Sequence, residues 1–330
     1  MRISDMRRGL LAFLAVAGLL GSPDATRAAT ASPDVPADQY AQAERALRDG
    51  HVEAGLEALD AAAKRGGVRA QVRLAKIYAD GKLVPRDDVK ACELYGALAD
   101  RHSQIDRTDP AARLIAEAFR AWALCYVKGA PASGWEKNVS RAAVLFYQAG
   151  VMLDDPESLY ELAKMYLTGQ GIGQNSRLAV HYFFSAARKR YPPAQAMLGY
   201  LMWEGKVLKQ QSAPGLALIL LAREGVKPED KVWVEGYYQD ALITASRDEE
   251  AEAIRLVQEW KKAYGSESTA STPMVMANPQ VPPPVRAPGL PPAAGQKIAT
   301  PGAVKSIEQN AFGNTPTGAN VPPAVSPVDQ

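Results

Sequence analysis

One short phrase recurs four times along the chain: an apolar or small pair, two residues of any kind, a bulky residue, two more of any kind, then glycine. It reads Leu74-Ala75-x-x-Tyr78-x-x-Gly81, Trp122-Ala123-x-x-Tyr126-x-x-Gly129, Leu162-Ala163-x-x-Tyr166-x-x-Gly169 and Leu198-Gly199-x-x-Met202-x-x-Gly205. By subtraction the glycines lie 48, 40 and 36 residues apart. Self-similarity at such a period marks a stacked-repeat architecture, in which each helix pair is unable to bury its own apolar face. Stacks of this kind present a surface to another protein more often than they house chemistry.

Within each phrase the apolar positions fall at i, i+1 and i+4, one stripe of an α-helix. The small residue lets a neighbouring helix approach, and the bulky residue one turn on fills the space beside it. Glycine then ends the helix, because it alone enters the left-handed C-cap conformation without steric cost. Gly81, Gly129, Gly169 and Gly205 are therefore predicted as repeat-turn glycines. A second helix follows each one, pairing Ala91 with Tyr95, Ala143 with Tyr147, Ala179 with Phe183 and Ala217 with Leu221. Asp87 and Asn175 stand four residues before two of those alanines, where a side-chain oxygen caps free N–H groups. Val84, Ile172 and Leu208 each sit three residues after a glycine, as plugs under the turn.

The rest of the chain divides around this array. Residues 1–28 read as a secretory signal peptide: Arg2, Arg7 and Arg8, a short apolar run from Leu10 to Leu20, then small residues suited to cleavage after Ala28 or Ala31. Eleven apolar residues are too few to span a bilayer core, which needs about 20, and no later stretch is longer, so the mature chain is expected to be exported without a transmembrane segment. Residues 29–37 form a polar lead-in. The repeat domain is placed at 38–263, opening with an atypical pair (Tyr40 to Leu47, Val52 to Lys64) and closing with one near Asp230 to Ala245 and Asp248 to Lys262. A polar connector, Gln104 to Pro110, joins the second pair to the third; a cut there is expected to separate the first repeats from the rest. Thirteen of the 24 prolines lie after residue 265, so 264–330 is read as a disordered tail of polyproline II character, stiffened at Pro282-Pro283-Pro284 and Pro291-Pro292.

Charge excludes one class of partner. The chain carries 38 Lys and Arg against 36 Asp and Glu; removing Arg2, Arg7, Arg8 and Arg27 with Asp5 and Asp24 leaves 34 against 34. Nucleic-acid binders carry a basic excess, so none is expected here. Arg188-Lys189-Arg190 sits at a helix end, where cations favour the dipole.

Two cysteines fall on helices that neighbour each other in a stack. Cys92 and Cys125 either form a disulfide in an oxidising compartment or stay as two buried free thiols in place of apolar repeat residues. His51, His102 and His181 lie in no metal-ligand spacing, and no nucleophile elbow or P-loop occurs. Gly169-Gln170-Gly171-Ile172-Gly173 follows a helix rather than a strand and matches the repeat turn. No catalytic residue, cofactor or metal is assigned. Tyr200 with Trp203, and Trp233 with Tyr237, share helical faces and serve either as core or as anchors of a protein interface.

The run Gly169-Gln170-Gly171-Ile172, followed by Asn175, Ala179, Tyr182 and Phe183, resembles the Sel1-like repeat, a relative of the tetratricopeptide repeat. The resemblance covers roughly residues 68 to 224, is loosest where Gly129 to Gly134 lengthen a turn, and implies an all-α, right-handed α-solenoid of helix pairs. The whole order of parts, including the connector before Ala121-Trp122-Ala123-Leu124-Cys125-Tyr126, the run Leu145-Phe146-Tyr147-Gln148-Ala149 and the closing Lys231-Val232-Trp233 and Asp248-Glu249-Glu250, resembles the exopolysaccharide-production negative regulators (ExoR) of rhizobia and related alphaproteobacteria. That resemblance implies a periplasmic, non-enzymatic protein that holds the sensing domain of a membrane sensor histidine kinase inactive. The residues alone leave open an exported scaffold for cell-envelope assembly or polar organisation.

Overall fold

The computed structural model describes residues 37–129 and 135–265; the signal-peptide and lead-in readings, the turn residues 130–134 and the tail beyond Gly265 lie outside the described residues. Twelve α-helices follow in order: α1 Ala37–Arg48, α2 Val52–Lys64, α3 Val68–Asp80, α4 Asp88–Arg101, α5 Ala112–Lys128, α6 Val139–Tyr147, α7 Pro156–Thr168, α8 Ser176–Arg188, α9 Pro192–Glu204, α10 Ser212–Gly225, α11 Lys231–Thr244 and α12 Arg247–Gly265. Each helix from α1 to α10 packs on the next in sequence, so the architecture is an all-α solenoid.

The recurring phrase supplies the core. Leu74, Ala75, Trp122, Ala123, Leu162, Ala163 and Leu198 are buried, as are Tyr126, Tyr166 and Met202 one turn on. One continuous apolar cluster runs from Val72 to Trp260, and a smaller one around Ala43, Leu59 and Ile77 joins the first pair to α3; Tyr78 and Leu94 pack against both. Val84, Ile172 and Leu208 lie half-buried against these clusters.

Turn geometry repeats with the sequence. Gly81, Gly169 and Gly205 adopt left-handed backbone (φ 67, 76 and 74°) and close their helices. Gly129 departs from the expected cap: its φ is 68° but its ψ is 168°, an extended conformation open essentially to glycine alone. A Cβ added to Gly129 would stand 3.0 Å from the Lys137 nitrogen, so the backbone that enters the next helix passes close beside this glycine. After every turn, the residue preceding the second helix donates its N–H to the carbonyl of the bulky residue in the phrase: Asp87 to Tyr78 (2.9 Å), Asn138 to Tyr126 (2.9 Å), Asn175 to Tyr166 (2.8 Å) and Gln211 to Met202 (2.8 Å). Asp87 and Asn175 cap their helices by accepting from Lys90 N–H (2.9 Å) and Leu178 N–H (3.0 Å). Asn138 and Asp155 do the same at α6 and α7, two caps the alanine register did not reveal.

Three local departures have physical causes. A π-helical turn, Gln148–Met152, extends α6; a Cβ on Gly150 within it would stand 2.8 Å from the Leu159 nitrogen, so the wider turn brings glycine against the α7 backbone. The closing helices do not pair chiefly with each other. Instead α11 packs on α9 and α10, while α12 lays Ala253, Val257 and Trp260 into the main core against α10. The connector between α4 and α5 is polar and largely exposed but internally braced: Asp106 accepts from the Thr108 N–H (2.8 Å) and hydroxyl (2.6 Å), and Ile105 packs on the main cluster.

Cys92 on α4 and Cys125 on α5 form a disulfide, with Cα atoms 6.1 Å apart. This bond bridges the connector, which alters the expected consequence of cutting it. Protein nicked between Asp106 and Pro110 is predicted to run as one species on a non-reducing gel and as two only after reduction. Fragments that part without reductant would contradict the linkage.

Candidate interaction surface on the odd-numbered helices

Side chains on the odd-numbered helices meet from one repeat to the next and form a continuous face. At its first end Arg73 of α3 pairs with Glu44 of α1 (2.6 Å), and Lys76 of α3 with Glu117 of α5 (2.5 Å). In the middle Arg120 of α5 reaches Asp155 (2.7 Å) and Glu157 (3.1 Å) at the start of α7. Burial alone would lower the Arg120 pKa; the carboxylates of Asp155 and Glu157 outweigh it and hold the guanidinium charged.

Toward the last repeats the contacts change from ionic to aromatic. Lys164 pairs with Glu161 (3.0 Å) and lies 5.1 Å from the centre of the Tyr160 ring. Tyr160 meets Tyr191, which precedes α9, edge-on at 5.5 Å. Burial, reinforced by Glu161, raises the Tyr160 phenol far above its usual range, so it stays neutral. Tyr200 of α9 stacks on Tyr237 of α11 with ring centres 4.0 Å apart and planes 17° from parallel. Trp203 lies 5.5 Å from Tyr200 and Trp233 stands edge-on to Tyr237 at 5.3 Å, its indole N–H donating to Asp230 (2.9 Å). The four aromatics Tyr200, Trp203, Trp233 and Tyr237 thus come together in one half-buried cluster, where the sequence had offered two separate pairs.

The most regular positions of this face were missed by reading the phrase for its apolar residues. Two places after each leading residue stand Lys76, Leu124, Lys164 and Tyr200, formally among the positions of any kind. The side chains of Lys76 and Lys164 are 41% and 44% exposed and Leu124 is 42% exposed, while Tyr200 is half-buried. They share the repeat spacing of the glycines, and that register is the signal that would have found them. Among the described residues the face is made of paired ions, a helix-capping carboxylate and stacked aromatic rings. Among the described residues no three His, Cys, Asp or Glu side chains gather as a metal site. His51, His102 and His181 lie on α2's entry, α4's exit and α8 and do not meet. Lys189 of the basic run pairs with Asp154. No described helix is long and apolar enough to cross a membrane.

Beneath the face, between α4, α5 and α6, lies a polar cluster of different character. Arg141 lies over the Trp122 ring (5.7 Å), and Trp122, Tyr126 and Trp135 follow one another at 5.8 and 5.5 Å. Burial pushes the neighbouring Asp100 carboxyl from 3.8 to about 6, only partly opposed by Arg141. The folded state therefore holds this proton more tightly than the unfolded chain. The stability it contributes is complete below pH 3.8 and lost as pH rises through about 6. Asp100→Asn is expected to stabilise the protein by about 1 kcal/mol at pH 7.5, a figure reduced for the group's partial exposure, and to have little effect near pH 4. Urea unfolding of both proteins at the two pH values checks this.

The stacked helix pairs, the turn glycines and the shared face define a class: the chain is an α-solenoid carrying Sel1 repeats. The Sel1 repeat model matches residues 68–103, 156–191 and 192–223, which are α3–α4, α7–α8 and α9–α10. The unmatched pair between them, α5–α6, is the one with the long connector before it and the lengthened turn within it. A crystal structure of a Sel1 repeat protein from Oxalobacter formigenes superposes with a TM-score of 0.52 at 19% identity, covering 69% of this chain and 88% of that one. More particularly, the chain is similar to two proteins called exopolysaccharide production negative regulator. One, from Rhizobium leguminosarum bv. viciae, is 28% identical over 221 residues, 67% of this chain and 80% of the relative. The other, from Rhizobium meliloti (strain 1021), is 26% identical over 213 residues, 64% of this chain and 77% of the relative.

Proposed function

We propose that this protein is an exported, non-enzymatic negative regulator of exopolysaccharide production that works by protein–protein contact, holding the periplasmic sensing domain of a membrane sensor histidine kinase inactive. The observation that carries the reading is the similarity to two regulators of that name over more than three quarters of their length. The N-terminal charge and apolar pattern supports export. The face of α3, α5, α7, α9 and α11 supplies the contact surface: exposed Lys76, Leu124 and Lys164 sit in register on a base fixed by inter-repeat pairs. A preorganised face of this kind loses little entropy on binding.

Deleting the gene should raise surface polysaccharide and the transcriptional output of one two-component pathway. The intact gene should restore both, and a version carrying Lys76→Glu with Leu124→Asp should not, although its product accumulates normally. Unchanged polysaccharide and transcription in the deletion strain would sink the proposal.

A further inference from the structure

The aromatic end of the odd-helix face gathers four rings beside two carboxylates. Tyr200 and Tyr237 present a stacked pair of rings, flanked by Trp203 and Trp233, all half-buried. Glu204 and Asp240 lie close enough to both tyrosines to bear on their ionisation. Glu204 shares its charge with Lys206 (2.5 Å), whereas exposed Asp240 enters no ion pair among the described residues. Polyproline helices have no internal hydrogen bonds and little entropy to lose, and they lay proline rings on flat aromatic surfaces. A cation beside such rings gains from both the ring faces and a nearby carboxylate.

The same chain carries a matching ligand. Residues 282–292 read Pro-Pro-Pro-Val-Arg-Ala-Pro-Gly-Leu-Pro-Pro, and Arg286 is the sole charged residue between Glu267 and Lys297. We propose that Pro282–Pro292 docks within its own chain on the aromatic cluster of α9 and α11, with Arg286 beside Asp240. In polyproline form those residues would extend about 34 Å, enough to cross two helices spaced about 8–10 Å apart. A tether of 16 residues, 266 to 281, has a root-mean-square reach of about 22 Å if it behaves as a random coil. The tether starts at the end of α12, which packs on α10, and α10 is a direct neighbour of both α9 and α11. A tether of that length holds the ligand at an effective concentration near millimolar, so weak affinity suffices. The tail then covers or vacates one end of the face, in competition with whatever external protein uses it. This inference stands whether or not that protein is a kinase.

The test uses the full chain with a photo-crosslinking phenylalanine analogue in place of Ala287. Illumination should join the tail to peptides of α9 and α11 within single molecules. Arg286→Glu and Asp240→Lys should each reduce that product at least fivefold, and the two together should restore it. Circular dichroism of each variant should match the parent, Asp240 being exposed on α11. Absent crosslinks, crosslinks scattered over other helices or joining two copies, or a yield indifferent to the charge reversals would each overturn the proposal.

Discussion

Trp122→Ala should be among the most damaging single substitutions in this chain, costing about 3–5 kcal/mol. The indole is completely buried at the centre of the main cluster. It lies so close over Gly96 of α4 that a Cβ there would meet its Cε2 at 2.8 Å, and its ring also contacts Tyr126 at 5.8 Å and Arg141 at 5.7 Å. Removing it opens a cavity where α4, α5 and α6 meet, and in a solenoid held by nearest-neighbour contacts that weakens the coupling between the two halves. The Trp122 indole N–H has no hydrogen-bond partner among the described residues, so Trp122→Phe mainly forfeits packing and should cost clearly less than the alanine change. Thermal unfolding followed by circular dichroism should show a fall of roughly 10 °C for the alanine variant. A fall of only a degree or two would mean that this junction does not organise the stack.

Gly199→Val is the second large effect expected. Gly199 of α9 and Gly215 of α10 face each other so closely that a Cβ on either would lie 2.6 Å from the carbonyl oxygen of the other. Backbone occupies the space, so no side-chain rotation relieves the clash and the helices must separate. The cost should be about 3 kcal/mol, concentrated in α9 to α12, where hydrogen exchange should accelerate. Gly236 on α11 is the control, since nothing lies within 4 Å of its Cβ position. Gly236→Ala should stabilise the protein by about 0.5–1 kcal/mol, because alanine is the better helix former. Equal effects at the two glycines would remove the close-approach argument.

These two sites show what was legible in the sequence. The pairing of a small with a bulky residue in each phrase identified the helix stripe, and Gly199 stands in that small position. Its reciprocal partner Gly215 was not legible, because it falls outside the phrase and only the crossing of α9 and α10 brings it there. Three turn glycines take the left-handed cap that their position implied, but Gly129 does not, since its conformation depends on the length of the turn that follows. Of the interaction face, the aromatics were visible as residue types at helical spacing. Their union into one cluster was not, because Tyr200 and Tyr237 are 37 positions apart and meet only through the placing of α11. The ion pairs of Lys76 with Glu117 and Arg120 with Asp155 were hidden for a related reason: charged residues carry no periodic apolar signal, and their partners lie on the next odd-numbered helix.

The central claim, a regulator that contacts a sensor kinase through the odd-helix face, is tested most directly by binding between purified partners. The purified chain would be titrated against the isolated periplasmic sensing domains of the host's histidine kinases by calorimetry, beside the folded Lys76→Glu, Leu124→Asp variant. The account predicts saturable, equimolar binding to one such domain, weakened at least tenfold by the paired substitution. No binding to any of them, or equal affinity for the substituted face, would contradict it.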